Sequence, residues 1–198
     1  MARPCPVRRR LPRAALALAL PALAACVQLP ERTVTVYGGE RAIDSQVWAP
    51  VDEQWSFGIE TDTRRPDTGW GIELGTMHSE GAAETFIVGL GVVKADATAD
   101  EYYAGVRKSF GGKGLRTYVG TGLTLIDGEY QARTAGGAID DSDMSPGIYV
   151  HAGALWQAWG NVELGLDYRR VFLAEAHMFG ADGNFDGGQL SLILGFGF

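Results

Sequence analysis

The chain has 198 residues, 46% of them hydrophobic and 21% charged, with a mean hydropathy of −0.02. That length suits one domain, with or without a processed leader, and the balance is too polar for a helical membrane protein and too apolar for a disordered chain. Glycine stands out at 28 residues, twice the usual share of roughly 7%; with many Thr, Tyr, Trp and Phe and no G-X-Y period, this composition points to an all-β chain and excludes collagen.

The first 25 residues read as an export signal. Arg3, Arg8, Arg9, Arg10 and Arg13 form a basic head, and residues 14–25 (AALALALPALAA) form an apolar stretch too short to span a bilayer as a helix. The stretch ends Leu23-Ala24-Ala25-Cys26, which resembles the bacterial lipobox, in which the cysteine becomes the lipidated first residue. With Val27 rather than Asp at the next position, the resemblance implies sorting to the outer membrane. Ordinary signal cleavage, with Cys26 incidental, is the alternative. Either way the leader removes five of the 17 basic residues and none of the 24 acidic ones, so the mature chain carries a net charge of −12. Such a chain lacks the basic surface that nucleic-acid binding needs. Cys5 lies in the leader, so no disulfide is expected in the mature chain.

After a short segment at 26–32, two-residue periodicity takes over. VTVYGGERA (34–42) reads as an opening strand. Next, Trp55, Phe57 and Ile59 alternate with Ser56, Gly58, Glu60 and Asp62; Trp70, Ile72 and Leu74 alternate with Gly71, Glu73 and Gly75. Tyr102, Ala104 and Val106 alternate with Tyr103, Gly105 and Arg107; Leu115, Val119, Leu123 and Leu125 alternate with Arg116, Tyr118, Gly120 and Gly122. Ile148, Val150, Ala152, Ala154 and Trp156 alternate with Tyr149, His151 and Gly153, and Val162, Leu164, Leu166 and Tyr168 with Glu163, Gly165, Asp167 and Arg169. The last strand puts Leu190, Leu192, Leu194, Phe196 and Phe198 on one face. Runs of about 9–11 residues suit tilted transmembrane strands. With 34–41 as the first strand and 86–95 as an arm extending the fourth, the count is eight; taking 86–95 as a strand of its own and 27–53 as a linker is the other register.

The polar face of so small a barrel points inward and must be filled, with glycines letting large side chains cross the axis. Glu60, Asp62, Glu73, Glu163 and Asp167 are expected to face Arg107, Arg116, Arg169 and His151, because charges taken out of water must pair. Short turns at 64–69, 111–114 and 159–161, against long loops at 127–147 and 173–187, imply that both chain ends lie in the periplasm.

From Val34 onward the chain resembles the small outer-membrane β-barrel family of the OmpA/OmpX type. GWGIELG (69–75), EYYAGVRKSF (101–110), TYVGTGL (117–123), YVHAG (149–153), LGLDYR (164–169) and LSLILGFGF (190–198) carry the resemblance. It implies an eight-stranded antiparallel up-and-down transmembrane barrel over 33–198, placed by the barrel-assembly machinery through a terminal signal at Leu194, Phe196 and Phe198. It also implies outer-membrane lipids and lipopolysaccharide as surroundings, a monomer, and no cofactor. The family includes anchors, adhesins, small transport proteins and lipid-modifying enzymes, so the fold leaves activity open.

Candidate chemistry is sparse. Lipid A deacylases of this class carry His and Ser two residues apart on a strand, oriented by Glu; here His78 and Ser79 are adjacent and would face opposite ways, and no Ser stands two residues from His151. His177 reads as a loop residue. Asp182-Gly-Asn184-Phe-Asp186-Gly matches the first half of a calcium loop, but Ile193 stands where the bidentate Glu belongs. Asp140, Asp141 and Asp143 add a second acidic cluster, suited to divalent cations bridging to lipopolysaccharide phosphates. Trp55, Trp70, Tyr102, Trp156, Trp159, Phe196 and Phe198 suit a membrane belt. The reading is a non-catalytic envelope barrel; a lipid A-modifying enzyme and a narrow solute channel are the alternatives.

Overall fold

The computed structural model describes residues 31–87, 91–112, 114–178 and 180–198. The leader, Cys26 and the Lys113 position of one turn lie outside them. Ten strands are described: β1 (Glu31–Ile43), β2 (Glu53–Arg64), β3 (Trp70–Ile87), β4 (Gly91–Gly111), β5 (Leu115–Thr134), β6 (Gly137–Trp159), β7 (Val162–Phe172), β8 (Glu175–Met178), β9 (Ala181–Asn184) and β10 (Gly187–Gly197). Eight of them close a barrel in the order β1-β2-β3-β4-β5-β6-β7-β10, all neighbours antiparallel, while β8 and β9 form a separate hairpin. The last strand seals the ring against the first, from Thr33 opposite Gly197 to Ile43 opposite Gly187. The register with 34–41 as opening strand is therefore the observed one.

Alternation sets the two faces. Leu190, Leu192, Leu194 and Phe196 point outward at 37–69% exposure, whereas Gln189, Ser191 and Ile193 are buried. The outward row from Leu190 to Phe198 covers about 27 Å of strand and, tilted near 40°, about 20 Å of height, close to the ~25 Å apolar band of a barrel in a bilayer. An exposed apolar surface on every wall strand, around a polar interior, is inverted relative to a water-soluble protein.

Two expectations about loops are corrected. Residues 127–147 are not a loop: β5 and β6 stay paired from Leu115–Trp156 out to Thr134–Gly137, leaving a turn of two residues. Likewise 86–95 is the far end of a hairpin that lengthens both β3 and β4, with Ile87 opposite Gly91, rather than an extension of the fourth strand alone. Since β2 ends at Glu53 and pairs no further along β3 than Glu80, strands β3 to β6 rise above the rim as a four-stranded wall. The wall persists because its inner face has something to cover. Trp48, from the β1–β2 connection, and Phe185, after β9, pack there with ring centroids 4.9 Å apart, together with Ile126, Met178, Ala97 and Ala99. Gly128 makes room: a Cβ there would lie 2.2 Å from the Phe185 ring. The expected 173–187 loop thus contains the β8–β9 hairpin, which helps build an apolar cap over the mouth.

The start of β1 at Glu31, the end of β10 and the turns at 65–69 and 160–161 lie at the opposite end of the barrel from the cap, the end that the sequence reading assigned to the periplasm. Trp55, Trp70, Trp156, Trp159 and Phe198 are all more than half exposed. Tyr102 is exposed too, but sits in the middle of the lengthened β4, where the outward row changes from apolar residues to Asp100 and Thr98. It marks the end of the outward apolar row rather than a strand end.

Candidate functional site: the barrel interior and its rim

The charged part of the interior is built from inward positions of seven of the eight wall strands. Stepping by two along β4 brings Glu101, Tyr103, Gly105 and Arg107 to the axis. Arg107, 3% exposed, meets three carboxylates: its Nε is 2.7 Å from Glu73 Oε2, its Nη1 is 3.5 Å from Asp62 Oδ1, and its Nη2 donates to Glu60. The guanidinium also stacks 4.1 Å above the Tyr118 ring. On the far side His151 lies between Glu73 (Nε2 to Oε2, 3.1 Å) and Asp167 (Nδ1 to Oδ2, 3.0 Å). Tyr118 donates to Asp167 at 2.6 Å, Tyr149 to Glu73 at 2.5 Å, and Tyr37 and Tyr103 each donate to Glu60 at 3.0 Å.

Toward the cap, Arg169 donates to Glu101 at 2.5 Å and stacks against Tyr103 and Tyr149, 3.9 and 3.8 Å from their centroids. Arg41 faces the same carboxylate at 3.5 Å, an ion pair without hydrogen-bond geometry, and donates at 3.3 Å to the Phe185 carbonyl, which joins this layer to the cap. Toward the end opposite the cap, Arg116 donates to Glu163 at 2.6 Å.

The nine charged residues marked in the sequence thus fall inside, Glu163 partly open and the others buried. The sequence reading missed Arg41 and Glu101, and with them the upper layer. Both were reachable by the same step of two, Arg41 from Tyr37 along β1 and Glu101 from Arg107 along β4. Tyrosines reach the axis because glycines on the neighbouring strand, or for Tyr149 the next but one, leave space. A Cβ on Gly105 would lie 2.3 Å from the Tyr149 hydroxyl, one on Gly153 the same distance from that of Tyr118, and one on Gly75 2.4 Å from that of Tyr103.

Other candidates do not assemble into a reaction centre. His78 faces outward and contacts Asp100 at 2.7 Å, while Ser79 faces inward and donates to Gln54 at 2.7 Å, so strand geometry separates them. His177 contacts Asp182 at 2.8 Å on the exposed β8–β9 hairpin. Of the calcium-loop residues, Asp182 is engaged there, Asp186 accepts from the Ala174 amide at 2.9 Å, and Asn184 Oδ1 is enclosed without a partner. Glu60, Glu73 and His151 bring ligand-type atoms within 4.8 Å of one another, but the Arg107 guanidinium already stands between the two carboxylates. On the outer face of the raised wall Asp100 lies directly opposite Asp127, beside Glu129, Asp140 and Asp141 around a hollow of about 320 Å³.

No family model and no curated protein matches the sequence. Solved structures do. Neisserial surface protein A is 17% identical with a TM-score of 0.58, over 85% of this chain and 97% of that one. Ail, the attachment invasion locus protein of Yersinia pestis, is 13% identical with a TM-score of 0.58, over 86% and 100%. OprG of Pseudomonas aeruginosa is 13% identical with a TM-score of 0.63, over 86% and 97%. At these identities the likeness is one of fold. The chain is an eight-stranded antiparallel barrel with the fold of the small outer-membrane β-barrel proteins, the OmpA/OmpX type.

Proposed function

We propose that the protein is a non-catalytic barrel of the bacterial outer membrane, closed to solutes, that serves envelope structure or surface interaction through its raised acidic wall. The observation that carries this is the filled interior: Arg107 with Glu60, Asp62 and Glu73, and Arg169 with Glu101, occupy the axis where a channel would hold water. The cap of Trp48 and Phe185 supports the same reading at the mouth. Cys26 then anchors the periplasmic end by its acyl chains, Leu194, Phe196 and Phe198 address the chain to the assembly machinery, and the barrel works as a monomer. Divalent cations at the Asp100–Asp127 hollow bridge the wall to lipopolysaccharide phosphates, since like charges directly opposite on neighbouring strands repel unless neutralised.

Planar-bilayer recording tests the closed reading. The purified barrel is expected to give no steady unit currents, and reproducible unit conductance would sink it. Lipid A mass spectra from cells lacking and overproducing the protein test the enzyme alternative, because gain or loss of an acyl chain would assign catalysis.

A further inference from the structure

The lipid-facing wall is not evenly convex. A trough of about 790 Å³, almost wholly apolar, crosses it from β1 to the outer part of β6. It runs along one cross-strand row: Val34 is opposite Thr61, Thr61 opposite Leu74, Leu74 opposite Ala104, and Ala104 opposite Leu123. Thr61 and Ala104 are short where their neighbours are long, and Ile59, Leu74 and Leu123 stand beside them at 49–70% exposure. On the other side of β1, outside the trough's lining, Leu166 and Leu192 project at 53% and 69% exposure.

The low end of the trough is Val34, three residues from the periplasmic start of β1 at Glu31. Cys26 precedes Glu31 by five residues, a tether of at most about 18 Å. An acyl chain on Cys26 must enter the periplasmic leaflet, whose hydrocarbon is about 15 Å deep, half of the whole core. A row inclined near 45° crosses that depth in about 20 Å, and four strand spacings from β1 to β5 measure about 19 Å. Tether, starting point and length therefore agree.

We propose that one acyl chain carried by Cys26 lies in this trough, so that the protein's own anchor covers its wall from β1 to β5. The inference rests on Cys26 being lipidated, and adds where the lipid goes.

The test uses the full chain produced in a Gram-negative host fed a photoactivatable fatty acid, irradiated in its native membrane and digested. The expected result is intramolecular cross-linking of the N-terminal lipopeptide to peptides carrying Leu74, Ala104 and Leu123, on the order of fivefold above those carrying Leu166 and Leu192. Ala104→Trp and, separately, Thr61→Trp fill the trough from the lipid side and are expected to reduce these products severalfold while Cys26 stays acylated. Equal labelling of both walls, or labelling unchanged by either filler, overturns the proposal. So do products of undiminished yield in Cys26→Ser, which give the trough to a membrane lipid, and intermolecular products, which give it to a second copy. An intact mass showing an N-terminus without acyl groups overturns the anchor itself, and the inference with it, whatever the cross-links show.

Discussion

Arg107→Met is the most informative perturbation of the interior. The substitution keeps an unbranched apolar stem and removes the cation shared by Glu60, Asp62 and Glu73. Glu73 retains His151 and Glu60 retains the hydroxyls of Tyr37 and Tyr103, but the three carboxylates lose their shared guanidinium at the axis. Removing one member of a buried ion pair costs about 3–5 kcal/mol. Three carboxylates losing one shared cation, and the lost stack on Tyr118, place this case at the upper end, about 5 kcal/mol. At a denaturant dependence of about 2 kcal/mol per molar, the urea midpoint falls by roughly 2.5 M. Unfolding from lipid vesicles, monitored by tryptophan fluorescence and by the heat-dependent shift in gel mobility, reads this directly. The control is Glu60→Gln in the Arg107→Met background: removing a stranded charge is expected to restore about 1–2 kcal/mol, within the coupling range of contacting residues. A loss below about 1 kcal/mol, or strictly additive effects of the two changes, would refute the claim that Arg107 holds the carboxylates together.

The same geometry sets the outcome of other substitutions. Gly105→Ala drives a methyl group toward the Tyr149 hydroxyl and the Thr121 carbonyl, 2.3 and 2.4 Å away, and is expected to lower stability by about 1–3 kcal/mol; Gly136→Ala, at the tip of the wall with its nearest neighbour 3.7 Å off, should be close to neutral. Trp48→Ala is expected to cost about 3–5 kcal/mol yet leave bilayer recordings silent, because the Arg41–Glu101–Arg169 layer lies beneath the cap; channel activity in this variant would assign closure to the cap alone. Phe198→Ser is expected to slow assembly into the membrane, measured as the fraction of heat-modifiable protein after pulse labelling, with little effect on the equilibrium stability of barrels that do assemble. Asp127→Asn, which relieves the facing pair with Asp100, is expected to reduce the stabilisation that added calcium gives in lipopolysaccharide-containing vesicles; an unchanged calcium response would argue against a cation there.

The membrane half of the fold was legible because one rule governs it. A wall between hydrocarbon and a packed axis must alternate, so Trp55, Ile72, Leu123 and Leu192 announced both strand and face, and the charges opposite them named most of the interior. The rule fails above the rim, where both faces of the wall can carry polar residues. DGEYQARTAGGAIDDSD (127–143) therefore reads as a loop, although Gly128, Tyr130 and Ala132 are the inward positions of a paired strand. What holds that strand straight is Trp48 and Phe185, from connections 80 and 57 residues distant from Gly128, and such long-range packing leaves no local pattern. Arg41 and Glu101 were missed for a smaller reason: Glu101 sits just before the alternation read at 102–107, and Arg41, inside the 34–42 strand, was given no face.

The interior pairs also have a mechanical meaning. Arg41 on β1 reaches Glu101 on β4, Glu101 reaches Arg169 on β7, and Glu73 on β3 reaches His151 on β6. Each tie joins strands three places apart around the ring, so it runs as a chord rather than along the circumference. A hoop bonded only edge to edge can be squeezed into an oval while every hydrogen bond in its wall survives. Chords in three directions resist that deformation, as spokes keep a wheel round, and the cross-section keeps its shape when lateral pressure in the surrounding bilayer changes.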